Sequence, residues 1–323
     1  MPALDIGQVS RLGDRAINQD RVGFFEQEGS MLLVVADGLG GHPRGEIAAE
    51  ALVECCEQAF LQTSKPIVHP QRFLKQLLQD GHAAILERGM RQAPPVNPRT
   101  TAVVALVQSD EVIWAHVGDS RCYLFRQGEL LVRTVDHSLA EAMPCPPSSG
   151  GGLSLSGLVS RHLITRCLGG SLTPPQISFG ILQPLKSQDV LLLCSDGFWG
   201  PLRGREMVQA LTADRPLATI LDDLAREAEA RSHQHSDNVT AVALRWEVAD
   251  SVEPPPARQP VVAVESSHSE FASALDTLRD FIEAYESEKS ESPESSESSK
   301  PSGPGTPMPA PVQANGKPEE KPE

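Results

Sequence analysis

Short, nearly continuous apolar runs separated by polar turns recur along the first 246 residues of the chain. An unbroken apolar run is typical of a strand that is buried on both faces. On this basis the sequence predicts strands at residues 3–9, 21–27, 31–36, 101–107, 112–117, 122–125, 130–133, 177–182, 190–194 and 239–246. Apolar positions at helical spacing predict helices at residues 45–61, 70–90, 201–211 and 216–231.

The order of these elements determines the expected fold class. Three strands precede a pair of helices, a longer series of strands follows, and a second pair of helices precedes the last strand. Strands and helices therefore do not alternate as they do in βαβ units. The residues RQGE, between two of the short strands, are typical of a hairpin turn. We expect an α+β fold in which helices cover packed antiparallel sheets.

Two segments show no usable period. Residues 140–158, which include PCPPSSGGGLSLSG, are predicted to form an exposed loop. Beyond Val248 the chain is rich in Pro, Ser and Glu, and such a composition buries too little apolar surface to offset chain entropy. We predict a folded domain over residues 1–248 and a disordered tail over residues 249–323. Residues 269–287 have apolar positions at helical spacing, and either a docking helix or a frayed helix fits them.

Charge and cysteine content limit the function classes. The formal net charge is −15, and from residue 250 onward there are fifteen acidic and six basic residues. Nucleic acid and anionic membranes require a basic surface, so neither is expected as a partner. The six cysteines form no CxxC pair and are interpreted as small core residues. Without a signal peptide or a membrane-spanning run, a cytoplasmic monomer is expected.

The segment Ser30–Glu46 places a carboxylate directly after an apolar strand. Asp37 ends the strand and is followed by Gly38, and further glycines precede a helix. Glycines allow main-chain groups to approach an ion beside the carboxylate. Asp37 could equally cap the helix, because aspartate is a favoured residue at that position. This segment alone therefore leaves a metal ligand and a helix cap as alternatives.

Further aspartates lie at the ends of other predicted strands. Each one alone fits a cap or a turn, because aspartate is common in both. Together they could converge on one edge of the sheets, where their mutual repulsion would be costly without cations. An oxygen-only ligand set suits Mg²⁺ or Mn²⁺ and is poorly suited to zinc. These residues are Asp20, Asp119, Asp136, Asp196 and Asp237.

The chain contains, in order, the segments RAINQD, VVADGLGGHPRGEIA, HVGDSRCYL, VDHS, LLLCSDGFW and DNVTAV. These six segments resemble the successive motifs of the metal-dependent protein serine/threonine phosphatase family (PPM, type 2C), bacterial branch. The resemblance covers residues 6–246 and implies a four-layer αββα sandwich with two central antiparallel sheets and metals in a cleft at one end. It implies hydrolysis of phosphoserine and phosphothreonine in proteins by in-line attack of a metal-activated water.

The same resemblance implies a bacterial Ser/Thr kinase and its phosphorylated targets as partners. Two alternatives stay open on the residues alone. One is a catalytically weak relative that binds or regulates a partner. The other is a hydrolase for small phosphate esters, because the motifs describe only the phosphoryl end of a substrate.

The resemblance also implies roles for individual metal ligands. Asp37 would bridge two Mn²⁺ or Mg²⁺ ions, and Gly38 would add its carbonyl oxygen. Asp196 and Asp237 would bind the first ion, while Asp20 would hold waters on the second. Two ions can lower the pKa of a shared water and orient it for in-line attack.

A third, weaker ion would be bound by Asp119 together with Asp196. Arg15 corresponds to the arginine that holds the substrate phosphate, and its planar fork of donors matches phosphate oxygens. His42 or His137 is a candidate for protonating the leaving alkoxide.

Three features depart from the family pattern or vary within it. Arg99 stands where a glycine often precedes the two threonines, and Gln19 stands where many relatives carry glutamate. Residues 139–161 correspond to a mobile flap in the family but are rich in Pro, Ser and Gly here. The departure at Arg99 bears on the cleft wall, and the composition of residues 139–161 means that the family pattern does not determine a flap-dependent choice of substrate.

Overall fold

A computed structural model describes residues 5–39, 44–142 and 163–247 of the chain. His42, most of the predicted loop at 140–158 and the predicted tail at 249–323, with its helix at 269–287, lie outside the described residues. The domain boundary near residue 248 therefore stays a prediction. Within the described ranges, no helix combines the length and the apolar character needed to cross a lipid bilayer.

The described elements follow the predicted order closely. The helices are α1 (Gly45–Gln62), α2 (Pro70–Met90), α3 (Leu139–Ala142), α4 (Asp196–Trp199), α5 (Gly204–Leu211) and α6 (Leu217–Arg231). The strands are β1 (Asp5–Arg11), β2 (Asp20–Gln27), β3 (Ser30–Asp37), β4 (Arg99–Thr100), β5 (Ala102–Gln108), β6 (Glu111–Val117), β7 (Arg121–Arg126), β8 (Glu129–Arg133), β9 (Leu168–Gly169), β10 (Ser178–Phe179), β11 (Gln183–Pro184), β12 (Val190–Cys194) and β13 (Val239–Arg245).

Two antiparallel sheets form the centre of the fold. One has the strand order β1-β13-β12-β7-β8, and the other has the order β10-β6-β5-β3-β2 with β11 also paired to β6. Strands β4 and β9 pair separately as a short two-stranded sheet. The predicted hairpin at RQGE joins β7 and β8. All of these pairings are antiparallel, as expected.

Strand β3 shows why its apolar run is continuous. Leu32 and Val34 pack in a core with helices α1 and α2, while Leu33 and Val35 pack in a second core between the two sheets. Both faces of the strand are therefore buried, and neither face selects polar residues. A third core lies between the five-stranded sheet and helices α5 and α6. These three cores separate four layers, which confirms the predicted αββα sandwich.

Three local predictions were wrong. The first residues of the loop expected at 140–158 belong to helix α3. Of the strand expected at residues 177–182, only β10 forms, and β11 follows at Gln183–Pro184 with Gly180 between them. A Cβ at Gly180 would lie 2.1 Å from the Trp114 ring, so the chain turns tightly over that indole. The helix expected at residues 201–211 begins at Gly204, and the short helix α4 precedes it. Asp196 therefore begins a helix, rather than simply ending a strand.

Candidate metal centre

The strand register brings the predicted metal ligands to one end of the two sheets. Asp20 and Asp37 are opposed residues on the antiparallel strands β2 and β3. In the other sheet, Cys194 is opposed to Ala241 on one side and to Arg121 on the other. Asp196 follows Cys194 closely and Asp119 shortly precedes Arg121, while Asp237 lies just before β13, the strand that contains Ala241. Acids from separate loops are therefore gathered by strand pairing, as the sequence predicts.

Electrostatics shows that the five carboxylates act on one another. The pKa of Asp37 is raised well above its ordinary value, first by burial and then by the negative charges of Asp20, Asp196, Asp119 and Asp237. Like charges held together in a partly dehydrated site favour the protonated form. The cluster is therefore unfavourable when all its members are ionised and no cation is bound.

Asp20 is a deeply buried member of the cluster. Its side chain is 2% exposed and accepts a hydrogen bond of 2.8 Å from the Ser195 hydroxyl. Burial raises its pKa to about 7, and the charges of Asp196 and Asp237 add to this effect. Hydrogen bonds from Ser195 and Thr240 act in the opposite direction, because they stabilise the carboxylate. The Ser195 bond also links the five-stranded sheet to the six-stranded sheet.

The donor chemistry of this cluster fits hard divalent cations. Within residues 5–39, 44–142 and 163–247, no three acidic, imidazole or thiol side chains already surround a single point that would suit one ion. A site with fewer than three such side chains is compatible with Mg²⁺ or Mn²⁺. Mg²⁺ in particular keeps several waters and needs only one or two carboxylates. A cation would also relieve the repulsion that raises the pKa of Asp37. The assignment of single ligands stays a prediction.

Arg15 adds a cation at the edge of this cluster. Its guanidinium Nη2 donates a hydrogen bond of 2.8 Å to Oδ2 of Asp237. About half of the Arg15 side chain, 51%, is exposed, so its remaining donors can reach a ligand. The structure thus places a permanent positive charge beside the acids, as expected for a group that binds phosphate.

Comparison with known proteins identifies the family. A sequence model described as Protein phosphatase 2C matches residues 8–238, which is more than half of the chain. The chain belongs to the protein phosphatase 2C family. It is therefore a phosphoprotein phosphatase of a metal-dependent family.

Individual relatives agree with this placement. Protein phosphatase PhpP of Streptococcus pneumoniae is 31% identical over 251 residues, which cover 76% of this chain and 97% of PhpP. The solved structure of the S. agalactiae serine/threonine phosphatase has a TM-score of 0.64 at 27% identity and covers 76% and 100% of the two chains. The catalytic domain of the phosphatase PstP, solved with two manganese ions, has a TM-score of 0.61 at 27% identity and covers 76% and 99%.

The main chain of Asp37 in this phosphatase is fixed by two threonines. The carbonyl oxygen of Asp37 accepts hydrogen bonds from the Thr100 hydroxyl, at 2.9 Å, and from the Thr101 amide, at 2.8 Å. The Thr101 hydroxyl accepts from the Asp37 amide and is 2.7 Å from the Ser120 hydroxyl. Sequence reasoning missed these supporting residues. The only available signal was the pair of adjacent threonines at the start of a strand.

Two glycines allow the end of β3 to pack against the start of α1. A Cβ at Gly38 would lie 2.5 Å from the carbonyl carbon of Gly45, and one at Gly45 would lie 2.8 Å from that of Gly38. In the sequence analysis, Gly38 is interpreted as allowing the main chain to approach an ion. The structure adds a second reason for a glycine, which is the close main-chain contact with Gly45. The residue before Asp20, Gln19, donates its side-chain amide to Glu46 of α1 at 3.2 Å. Its amide therefore contacts helix α1.

The loop that carries Arg15 is tied to the loop before β13. The side-chain amide of Asn238 donates to the Leu12 carbonyl at 2.8 Å, and its oxygen accepts from the Gln19 amide at 2.8 Å. The Ser236 amide donates to the Asp14 carboxylate at 3.0 Å. The sequence predicts no individual role for Asn238, which belongs to the DNVTAV motif. In the structure its side chain connects the loop that carries Arg15 to the loop that carries Asp237.

Of the two candidate proton donors, His42 lies outside the described residues and His137 is packed. His137 Nδ1 accepts from the Gly118 amide at 3.1 Å, so Nε2 carries the proton and is 2.8 Å from the Ser178 hydroxyl. Its pKa is lowered to about 3 by burial, the nearby His116 ring and the charge of Arg166. A neutral, hydrogen-bonded imidazole is a poor acid near neutral pH, so the geometry favours a structural role for His137.

Asp136, grouped with the other acids in the sequence, has a different partner. Its two carboxylate oxygens each accept a hydrogen bond of 2.7 Å from the Arg121 guanidinium. This pair is largely buried, with 15% of the Arg121 side chain and 7% of the Asp136 side chain exposed. Asp136 is therefore bound by an arginine, and the charges that act most strongly on Asp37 are those of the other four acids.

Proposed function

We propose that this phosphatase hydrolyses phosphoserine and phosphothreonine esters of proteins by direct in-line attack of water. The observation that carries the proposal is the cluster of Asp37 with Asp20, Asp119, Asp196 and Asp237, whose charges together raise the pKa of Asp37. Two Mn²⁺ or Mg²⁺ ions, when bound there, would supply an activated water and neutralise charge on the phosphoryl group. The named serine/threonine phosphatases among the relatives support the choice of substrate.

The residues of the chain divide the work by position. The charges of the other four acids all act on Asp37, which is the proposed bridge between the two ions. Asp196 and Asp237 are proposed to complete the first ion's site, Asp20 to order waters on the second, and Gly38 to add a carbonyl oxygen. Thr100 and Thr101 hold the main chain of Asp37, so the backbone that carries this carboxylate is fixed in the absence of a ligand.

Arg15 is proposed to bind the non-bridging oxygens of the phosphate. Its contact with Asp237 orients the guanidinium toward the cluster, while its exposed part leaves donors for a substrate. Arginine suits this role, because its planar fork can donate two parallel hydrogen bonds to a phosphate. The substrates are proposed to be targets of a bacterial Ser/Thr kinase, so that the phosphatase reverses that kinase in signalling.

The direct test is phosphate release from a phosphothreonine peptide in the presence of Mn²⁺. Asp37→Asn and Asp196→Asn are expected to lower kcat/KM by at least about a hundredfold, because each removes a charged ligand. Asp110→Asn is the matched control. Asp110 lies in the turn between β5 and β6, at the opposite end of these strands from the acidic cluster. Equal turnover by the wild type and both variants would exclude this site as the catalytic centre.

Further measurements separate the alternatives. Arg15→Met is expected to lower kcat/KM for the peptide by roughly ten- to a hundredfold, with a smaller loss for Arg15→Lys, because a charge-assisted hydrogen bond to phosphate is lost. A higher kcat/KM for 4-nitrophenyl phosphate than for any phosphopeptide would favour a small-ester hydrolase. Peptide binding without turnover in the wild type would favour a binding module.

A further inference from the structure

A cation and an aromatic ring are stacked beside the acidic cluster. The guanidinium carbon of Arg121 lies 3.3 Å from the centre of the Trp199 ring. The same guanidinium donates to both oxygens of Asp136 and, at 3.0 Å, to the Tyr123 hydroxyl. Arg121 is thus held from three sides, and its flat face is presented to the indole.

The indole connects two of the acids. Trp199 Nε1 donates a hydrogen bond of 3.1 Å to the main-chain carbonyl oxygen of Asp119. Trp199 is also the last residue of helix α4, which begins at Asp196. The Trp199 side chain therefore connects the turn that carries Asp119 to the helix that carries Asp196.

We propose that Arg121 and Trp199 are positioning residues that hold Asp119 against Asp196 so that this pair binds a divalent cation. The inference rests on the proposed function, to which it adds the third, weaker ion that the family resemblance implies for Asp119 and Asp196. Arg121 acts through Trp199, and Trp199 acts through the Asp119 main chain. Neither side chain contacts the ion or the substrate.

The arrangement has the properties that positioning requires. A guanidinium over an indole is attracted by the ring, and the attraction is stronger when the pair is shielded from water. The buried Asp136 keeps Arg121 in this orientation, because a bidentate pair allows little rotation. Asp119 lies in the turn after β6, and Asp196 begins the four-residue helix α4. Bonds from Gly118 to His137 and between Ser120 and Thr101 also hold this turn, and the Trp199 bond ties it to α4. A hydrated cation bound by only two carboxylates is sensitive to small changes in their separation.

Mn²⁺ binding to the full chain, followed by electron paramagnetic resonance of free Mn²⁺, tests the proposal without measuring turnover. Trp199→Phe keeps a ring under Arg121 and removes the N–H donor. The ion at Asp119 and Asp196 is the third and weakest of the three expected ions. In this variant we expect it to bind about five- to tenfold more weakly, while the two tighter ions bind as in the wild type. Arg121→Lys is expected to weaken the same ion, because an ammonium neither stacks nor binds in a bidentate manner.

Trp246→Phe is the matched control. Trp246 is 5% exposed in the core between the sheets, and its Nε1 has no hydrogen-bond partner among the described residues. This variant is expected to leave all Mn²⁺ affinities unchanged, and Asp119→Asn is expected to abolish the weakest one. Thermal unfolding of each variant with Mn²⁺ absent shows whether the fold itself has changed.

The outcomes separate the two proposals. Wild-type affinity for the weakest ion in both Trp199→Phe and Arg121→Lys would overturn the positioning role. A wild-type protein that binds two ions and turns over phosphopeptide, but binds no third ion, would overturn it as well and leave the proposed function intact. A wild-type protein that binds no Mn²⁺ at all would overturn the proposed function first. Selective weakening of the third ion in both variants would support the positioning role.

Discussion

Metal uptake by the metal-free phosphatase is expected to release protons, and its affinity is expected to fall as the pH is lowered. The pKa of Asp20 is raised to about 7 by burial, and that of Asp37 is raised well above its ordinary value by burial and by its acidic neighbours. Both carboxyls therefore hold protons in part of the neutral range when no ion is present. A cation requires the ionised form, so each site must lose its proton before binding.

The size of the effect follows from these pKa values. A carboxyl with a pKa of about 7 is about nine-tenths ionised at pH 8 and about one-tenth ionised at pH 6, so Asp20 alone lowers the affinity roughly tenfold across that interval. Asp37 contributes up to about tenfold more for each pH unit below its pKa. The total loss between pH 8 and pH 6 is thus expected to lie between roughly ten- and a thousandfold.

The same shifts predict the stability of the metal-free protein. An unfolded aspartate has a pKa of about 3.9, so between about pH 4 and pH 7 the unfolded chain has released the Asp20 proton that the folded chain still holds. The unfolded state then binds fewer protons, and the free energy of unfolding falls as the pH rises through this window. Saturating Mn²⁺ is expected to reverse the trend, because it binds the ionised folded form.

Isothermal titration of the metal-free protein with Mn²⁺ measures the proton release directly. Titrations at pH 7 in two buffers of different ionisation enthalpy give the number of protons released per ion, and we expect about one or more. Asp20→Asn is the matched variant, and its affinity is expected to depend less steeply on pH. Proton release near zero, with the same Mn²⁺ affinity at pH 6 and pH 8, would refute the reasoning.

Three further predictions concern residues that support the site. Gly45→Ala is expected to lower the free energy of unfolding by about 1–3 kcal/mol, because its Cβ would meet main-chain atoms, whereas Gly204→Ala, also at a helix start, meets nothing within 4 Å; equal melting temperatures would contradict this. Ser195→Ala is expected to weaken Mn²⁺ binding several-fold at pH 7, since Asp20 loses the hydroxyl that stabilises its ionised form. His137→Asn is expected to leave the acid limb of the pH–rate profile in place, because the imidazole is already neutral.

The sequence predicted those parts of the fold and site that depend on local order. Strand β3 follows from an unbroken apolar run, and α2 begins and ends at its predicted residues. The cluster around Asp37 was predicted because acids at strand ends recur at that edge of each sheet. These features need only the chain's own periodicity and the rule that paired strands place their ends together.

Other features depend on which elements pack together, which periodicity does not show. The bond from Ser195 to Asp20 crosses between the sheets and depends on how they are stacked. Asp136 belongs to a motif beside the cluster, yet both of its carboxylate oxygens accept hydrogen bonds from Arg121. The chain turn at Gly180 is set by the Trp114 ring, which lies far away in sequence. In each case the decisive contact joins residues that are distant along the chain.

The placement of the acids on both sheets has a mechanical consequence. Asp20 and Asp37 belong to the six-stranded sheet, while Asp196 and Asp237 flank strands of the five-stranded sheet. In the proposed metal-loaded state the ions would cross-link the five-stranded sheet to the six-stranded sheet at one end of the sandwich. Separating the sheets would then require the coordination bonds to break first. Resistance to proteases and to pulling force would therefore report metal occupancy as directly as catalysis does.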